Sequence, residues 1–292
     1  MSETAPFSLL KPLRQQAAVV LTSPHSGRRY GEAFLAASRL DATAIRRSED
    51  SFVEELFAAG PGLGVPLLAA EFPRAWCDAN REAWELDPAM FEDALPDFVD
   101  TKSPRVRAGL GTIARVVGNG EPIYAGKLRF AEAQARVEAC WEPFHAALGG
   151  LIAETVAAFG SCLVIDCHSM PSLAGRQGGR ADIVLGDSYG NACLPAWTGF
   201  FEAAFTGMGL RVRRNDPYAG GYITRHYGRP RDGVQVVQVE VARALYMNER
   251  NFTRNAQFEA TQRSMAGFLA AVVEASALWG MEGPPARAAA AE

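Results

Sequence analysis

Two kinds of apolar pattern alternate along this chain. Short runs of consecutive apolar residues, several with adjacent β-branched side chains, are separated by longer stretches in which apolar positions recur every three or four residues. The first pattern marks strands buried on both faces, the second helices with one covered stripe. Five runs read as core strands: residues 17–21 (AAVVL), 65–72 (VPLLAAEF), 162–167 (CLVIDC), 182–186 (DIVLG) and 234–241 (VQVVQVEV). Helical spacing predicts a helix opening at Ser48 and stopped by Gly60-Pro61, which sets Asp50 near its amino terminus. Longer helices are expected over 127–159, interrupted at Pro143 and Gly149-Gly150, and over 255–278. Strands alternating with helices define an α/β class. The proline- and glycine-rich stretch 87–121 reads as a functional or covering loop, and PPARAAAAE at 284–292 as a disordered tail beyond a single domain over 1–283.

Composition narrows the function more than the fold. At 292 residues and 48% hydrophobic, the chain has material for one large core. A net charge of −4 supplies no basic surplus for phosphate contacts, so nucleic acid is not an expected partner. No stretch of 18 apolar residues suggests a membrane span, and the first ten residues lack a secretory pattern. Five cysteines without CxxC spacing fit reduced thiols in a cytoplasmic protein.

The chemistry gathers at strand ends. Two of the four histidines follow apolar runs in similar contexts, His25 in SPHSG and His168 in DCHS. In α/β sheets, ligands collect beyond the carboxyl ends of strands, so two such histidines can converge on one divalent ion. A carboxylate would complete a two-histidine zinc site, with Asp50 and Glu49 both candidates, although acids in a first helical turn are also stabilised by the helix dipole alone. Glu240 sits inside an apolar run, where a carboxylate needs a partner or a task; a general base is such a task, a partly polar strand face the alternative. Arg74, Asp78, Asn80 and Arg81 in PRAWCDANR suit a clamp for substrate carboxylates, with Asp78 orienting an arginine, or else a surface ion-pair cluster. The segment GGYITRHYG reads as a polar loop whose Tyr222, Arg225 and His226 offer donors to an oxyanion. Cys167 beside His168 is a poor nucleophile pair, because neighbours on a strand point to opposite faces. A metal-free binding protein for acidic amino acids is the competing class.

SPHSG at His25, SEDSFVEEL at Asp50, FPRAWCDANR, VIDCHSMPS at His168 and NDPYAGGYITRHYGRPRDGVQVVQVEVARALYMNE together resemble the N-formylglutamate amidohydrolase family, relatives of the zinc carboxypeptidases, from about residue 19 to 249. The resemblance implies a phosphorylase/hydrolase-like, three-layer α/β/α fold with a mixed, mostly parallel central sheet. It further implies zinc or another divalent metal, and hydrolysis of N-formyl-L-glutamate to formate and L-glutamate in histidine breakdown, with another N-acyl acidic amino acid as the alternative substrate. Position by position, it implies His25, Asp50 and His168 as metal ligands and Glu240 as base. Arg74, Asn80 and Arg81 would hold substrate carboxylates, and His226 would stabilise the oxyanion beside Arg225 and Tyr222. The carboxypeptidase relatives have a glutamate three residues after their first histidine; here Arg28 stands there, so that spacing does not supply the third ligand.

Overall fold

In the computed structural model, which describes residues 5–172, 181–279 and 283, each of the five apolar runs overlaps a strand. β1 (Phe7–Leu10), β2 (Val19–Ser23), β3 (Leu67–Ala70), β4 (Cys162–Met170), β5 (Ile183–Gly186), β6 (Val212–Arg214) and β7 (Val234–Ala242) form one sheet ordered β1-β3-β2-β4-β7-β5-β6. β2, β4 and β7 run parallel, β5 lies antiparallel to β7, and β6 is parallel to β5. The sheet is therefore mixed and mostly parallel, and the fold is α/β. The two edge strands escape sequence reading because neither is a buried apolar run: FSLL is only partly covered, and VRR is short and charged.

The α-helices among the described residues are α1 (Glu32–Ala37), α2 (Val53–Leu56), α3 (Pro104–Arg107), α4 (Phe130–Arg136), α5 (Glu142–Phe159), α6 (Pro195–Gly207), α7 (Tyr222–Tyr227) and α8 (Phe258–Trp279). Three differ from the sequence expectation. The helix expected from Ser48 begins only at Val53: a 3-10 turn ends at Ser48, Glu49 is extended, and Phe52 takes a left-handed φ of 66°. Asp50 is thereby removed from any first helical turn, its N–H donating instead to His25 O at 3.0 Å. The 127–159 pattern runs unbroken from α4 through a π-turn at Val137–Trp141 into α5. That wider turn directly precedes Pro143, where it accommodates the missing backbone donor. The segment read as a polar loop at 220–228 contains a helix, α7. The tail expected at 284–292 lies outside the described residues.

Contacts divide the described residues into two units interleaved in sequence, one within 1–8, 24–51 and 69–147, the other within 9–23, 52–68 and 148–292. In the second unit, Val19 and Leu21 of β2, Leu163, Ile165 and Cys167 of β4, and Val237, Val239 and Val241 of β7 share one core with α2, α6 and α8. Phe268 of α8 anchors it, stacking on Phe205 at 4.2 Å and meeting Phe201 edge-on at 4.8 Å. Each such buried ring contributes about 1.5–3 kcal/mol through area removed from water. Because side chains alternate along a strand, that packing sends Asp166 and His168 of β4, and Gln238 and Glu240 of β7, to the opposite face. In the first unit, the expected covering segment 87–121 helps to build small cores of its own, around Leu86, Phe91 and Ile113, and around Phe34, Ile45 and Val117.

Candidate metal centre

His25 follows β2 directly and is buried. Its Nε2 lies 2.7 Å from Asp78 Oδ1, an oxygen that also accepts the backbone N–H of Asn80 at 2.8 Å. Arg74 Nε donates to Asp78 Oδ2 at 2.8 Å, and the Arg81 guanidinium stands 3.8 Å from the same oxygen. Burial pushes the Asp78 carboxyl upward, but Arg74, His25 and Arg81 together outweigh it and hold the group well below the usual carboxylate range. An ionised carboxylate only accepts, so the hydrogen between the two belongs to His25 Nε2. In a neutral imidazole this makes Nδ1 the lone-pair atom, and Nδ1 faces Asp50 Oδ2 at 3.5 Å. A lone-pair nitrogen and a carboxylate oxygen this close, both buried, form a donor pair suited to a divalent cation.

His168 is held differently. It sits in β4, hydrogen-bonded between β2 and β7, and is the register partner of Glu240. Its Nε2 is 3.0 Å from Asp166 Oδ1, a fully buried carboxylate two residues earlier on the same face. One ligand atom from each of His25, Asp50 and His168 lies within 4.8 Å of the others. Two histidines and one carboxylate are a donor set that zinc would accept. The donor types, the burial and the carboxylates behind both histidines fit a divalent ion. Glu49 is committed elsewhere: Arg46 grips both its oxygens at 2.9 and 2.8 Å, Ser51 Oγ donates at 2.6 Å, and Tyr30 at 3.1 Å.

The remaining site residues separate into two groups. In the first unit, Arg81 spends Nε on Leu110 O at 2.8 Å and Nη1 on Asn80 O at 2.7 Å, and burial lowers its pKa to about 10. Arg81 thus braces backbone, whereas Arg74 keeps 23% of its side-chain surface exposed. In the second unit, Glu240 is buried and accepts from Gln238 Nε2 at 2.8 Å. On α7, the Tyr222 and His226 rings stack at 4.7 Å, one helical turn apart, with Arg225 and His226 exposed. Sequence reading missed Asp78 as the partner of His25, and overlooked Asp166 although its two-residue spacing from His168 is visible in VIDCH.

Residues 17–247 match the family model described as N-formylglutamate amidohydrolase, a span holding every residue named in this site. The chain belongs to the N-formylglutamate amidohydrolase family. Among its relatives in that family, the N-formylglutamate deformylase of Pseudomonas aeruginosa is 29% identical over 275 residues, covering 92% of this chain and 96% of the relative. The enzyme of the same name from Pseudomonas putida is 28% identical over 236 residues, covering 79% of this chain and 82% of its own length. The crystal structure of N-formylglutamate amidohydrolase from Ralstonia eutropha JMP134 superposes with a TM-score of 0.88 at 35% identity, over 93% of this chain and 98% of that one. A gene product of Agrobacterium tumefaciens shares the fold, with a TM-score of 0.63 at 21% identity over 93% of this chain and 96% of its own.

Proposed function

We propose that the chain hydrolyses N-formyl-L-glutamate to formate and L-glutamate, with His25, Asp50 and His168 holding a zinc ion. The observation that carries this reading is the buried His25, Asp50 and His168 cluster, with Asp78 behind His25, in a chain of this family. Relatives named for formylglutamate deformylation, matched along nearly their whole length, support the choice of substrate. When bound, zinc would supply Lewis acidity, easing deprotonation of water and polarising the formyl carbonyl.

The protein's own groups carry the rest. Glu240 takes the proton of the attacking water and returns it to the amine as the carbon–nitrogen bond breaks, so no net proton is left on the enzyme. Asp78 keeps His25 in the tautomer whose Nδ1 is a lone-pair donor, and the buried Asp166 carboxylate, 3.0 Å from His168 Nε2, favours positive charge beside that ring. Arg74 is the principal cation for a substrate carboxylate, with Asn80 and Arg81 supporting its wall. His226, Arg225 and Tyr222 on α7 offer donors to the oxyanion. A single amidohydrolase domain comprising both units agrees with a family match that runs through them. Free, buried cysteines are compatible with a cytoplasmic role in histidine breakdown.

The test is formate release from N-formyl-L-glutamate with and without a chelator, followed by zinc add-back. Activity that the chelator removes and zinc restores is the expected result. Full activity in the chelated protein, or hydrolysis of other N-acyl amino acids in preference to this one, would overturn it.

A further inference from the structure

The sheet face that carries His168 and Glu240 also carries Gln238, buried two residues before Glu240 on β7. Its side-chain oxygen accepts the N–H of Gly221, the residue capping α7, at 3.0 Å. A backbone N–H only donates, so this bond fixes which end of the amide is oxygen. The amide nitrogen therefore faces the other way, where it donates to Glu240 Oε1 at 2.8 Å. Gly186 makes the arrangement possible. It pairs with Gln238 across β5 and β7, and a Cβ there would come within 2.7 Å of Gly220 N and 2.8 Å of Ala219 C. Without a side chain at 186, the segment leading into α7 lies against the sheet within reach of Gln238. Gly220 then turns into the helix at φ +117°, a conformation open to glycine.

We infer that Gln238 is a positioning residue for Glu240, tying the carboxylate of the base to the start of α7. The inference rests on the reading of Glu240 as the base. The terminal torsion of a glutamate is broad, and a charge-assisted hydrogen bond from a buried amide selects one orientation. The placement of the base thus depends on where the helix bearing Tyr222, Arg225 and His226 begins.

The test is a double-mutant cycle in the zinc-loaded full chain: Gln238→Met and Glu240→Gln, singly and together, with kcat, KM and zinc content measured on N-formyl-L-glutamate. Gln238→Met should lower kcat by about 10- to 100-fold while KM and zinc content stay within about twofold. In the Glu240→Gln background it should lower kcat no further, because its effect passes through Glu240. An unchanged kcat in Gln238→Met, or the same loss in both backgrounds, overturns the inference. Gln238→Asn keeps an amide but is one methylene short of spanning both partners, and it is read in the same cycle should Gln238→Met not fold. The two readings fail separately. Wild-type kcat in Glu240→Gln removes the base and, with it, the reason for positioning one. A disabled Glu240→Gln with additive Gln238 losses removes only the positioning role.

Discussion

The surroundings of the two histidines solve one problem by different means. His168 sits inside β4, where ladder pairing with β7 fixes its backbone and strand periodicity delivers Asp166 to the same face. His25 lies just past the end of β2, beyond the ladder, and its carboxylate comes from Asp78, 53 residues further on. Asp78 is in turn gripped by Arg74 and by the N–H of Asn80. A histidine within a strand inherits its orientation from the sheet, whereas one on a loop needs side chains built around it. The support of His25 should therefore be the more fragile of the two.

The largest effect should come from removing either histidine, where the two surroundings become equivalent. His25→Ala and His168→Ala are each expected to lose stoichiometric zinc and to reduce kcat/KM on the order of a thousandfold or more. A ligand that binds only the folded state stabilises it by about 4 kcal/mol at a thousandfold excess over Kd. Zinc should accordingly raise the melting temperature of the chelated wild type and leave that of both variants unmoved. Retention of zinc by either variant, measured by metal analysis, would remove that histidine from the ligand set.

The comparison sharpens one step away from the ligands. Asp78→Asn should weaken zinc binding by about 10- to 100-fold. Two donors converge on Oδ1, from His25 and Asn80, and a third, from Arg74, meets Oδ2. An asparagine offers one oxygen, so its NH2 must confront one of those donors. The equivalent change behind His168, Asp166→Asn, should cost less, about tenfold or below, because the strand still orients the ring. Competition titrations against a chelator give both numbers, and an equal or reversed order would discard the contrast between strand and loop.

What the sequence disclosed follows the same division. The strands around His168 are continuous apolar runs, which place Glu240 on a strand and His168 at a strand end, although β4 in fact runs on to Met170 and encloses His168. The resemblance of SEDSFVEEL to its family selected Asp50 over Glu49, and the structure groups Asp50 with the histidines while Arg46 occupies Glu49. Local spacing joined Asp78 to an arginine, as Arg74 shows, but was silent on its bond to His25, since nothing near His25 in sequence announces a partner 53 residues away. It was equally silent on the bonds Arg81 makes to the carbonyls of Leu110 and Asn80, since a guanidinium that braces backbone looks in sequence like one kept for substrate. The helix at α7 was hidden because its six residues, YITRHY, are too few to reveal a period between flanking glycines.

Arg74 offers the finest and smallest test, since it belongs to both accounts of this region. As a brace it donates Nε to Asp78; as a clamp it would present its exposed edge to a substrate carboxylate. Arg74→Lys preserves the charge but loses the planar fork, so one ammonium cannot reproduce both contacts in the same geometry. If bracing dominates, zinc affinity should fall by a few-fold, on the order of a single charge-assisted hydrogen bond, with KM unchanged once zinc is saturating. If clamping dominates, KM should rise by about tenfold at saturating zinc, and chelator competition should be unaffected. The geometry favours a mixed outcome weighted toward KM, because Asn80 N–H and His25 still hold Asp78 after Arg74 is changed, while the exposed guanidinium edge has no such substitute. A variant with wild-type KM and wild-type zinc affinity would exclude Arg74 from both roles.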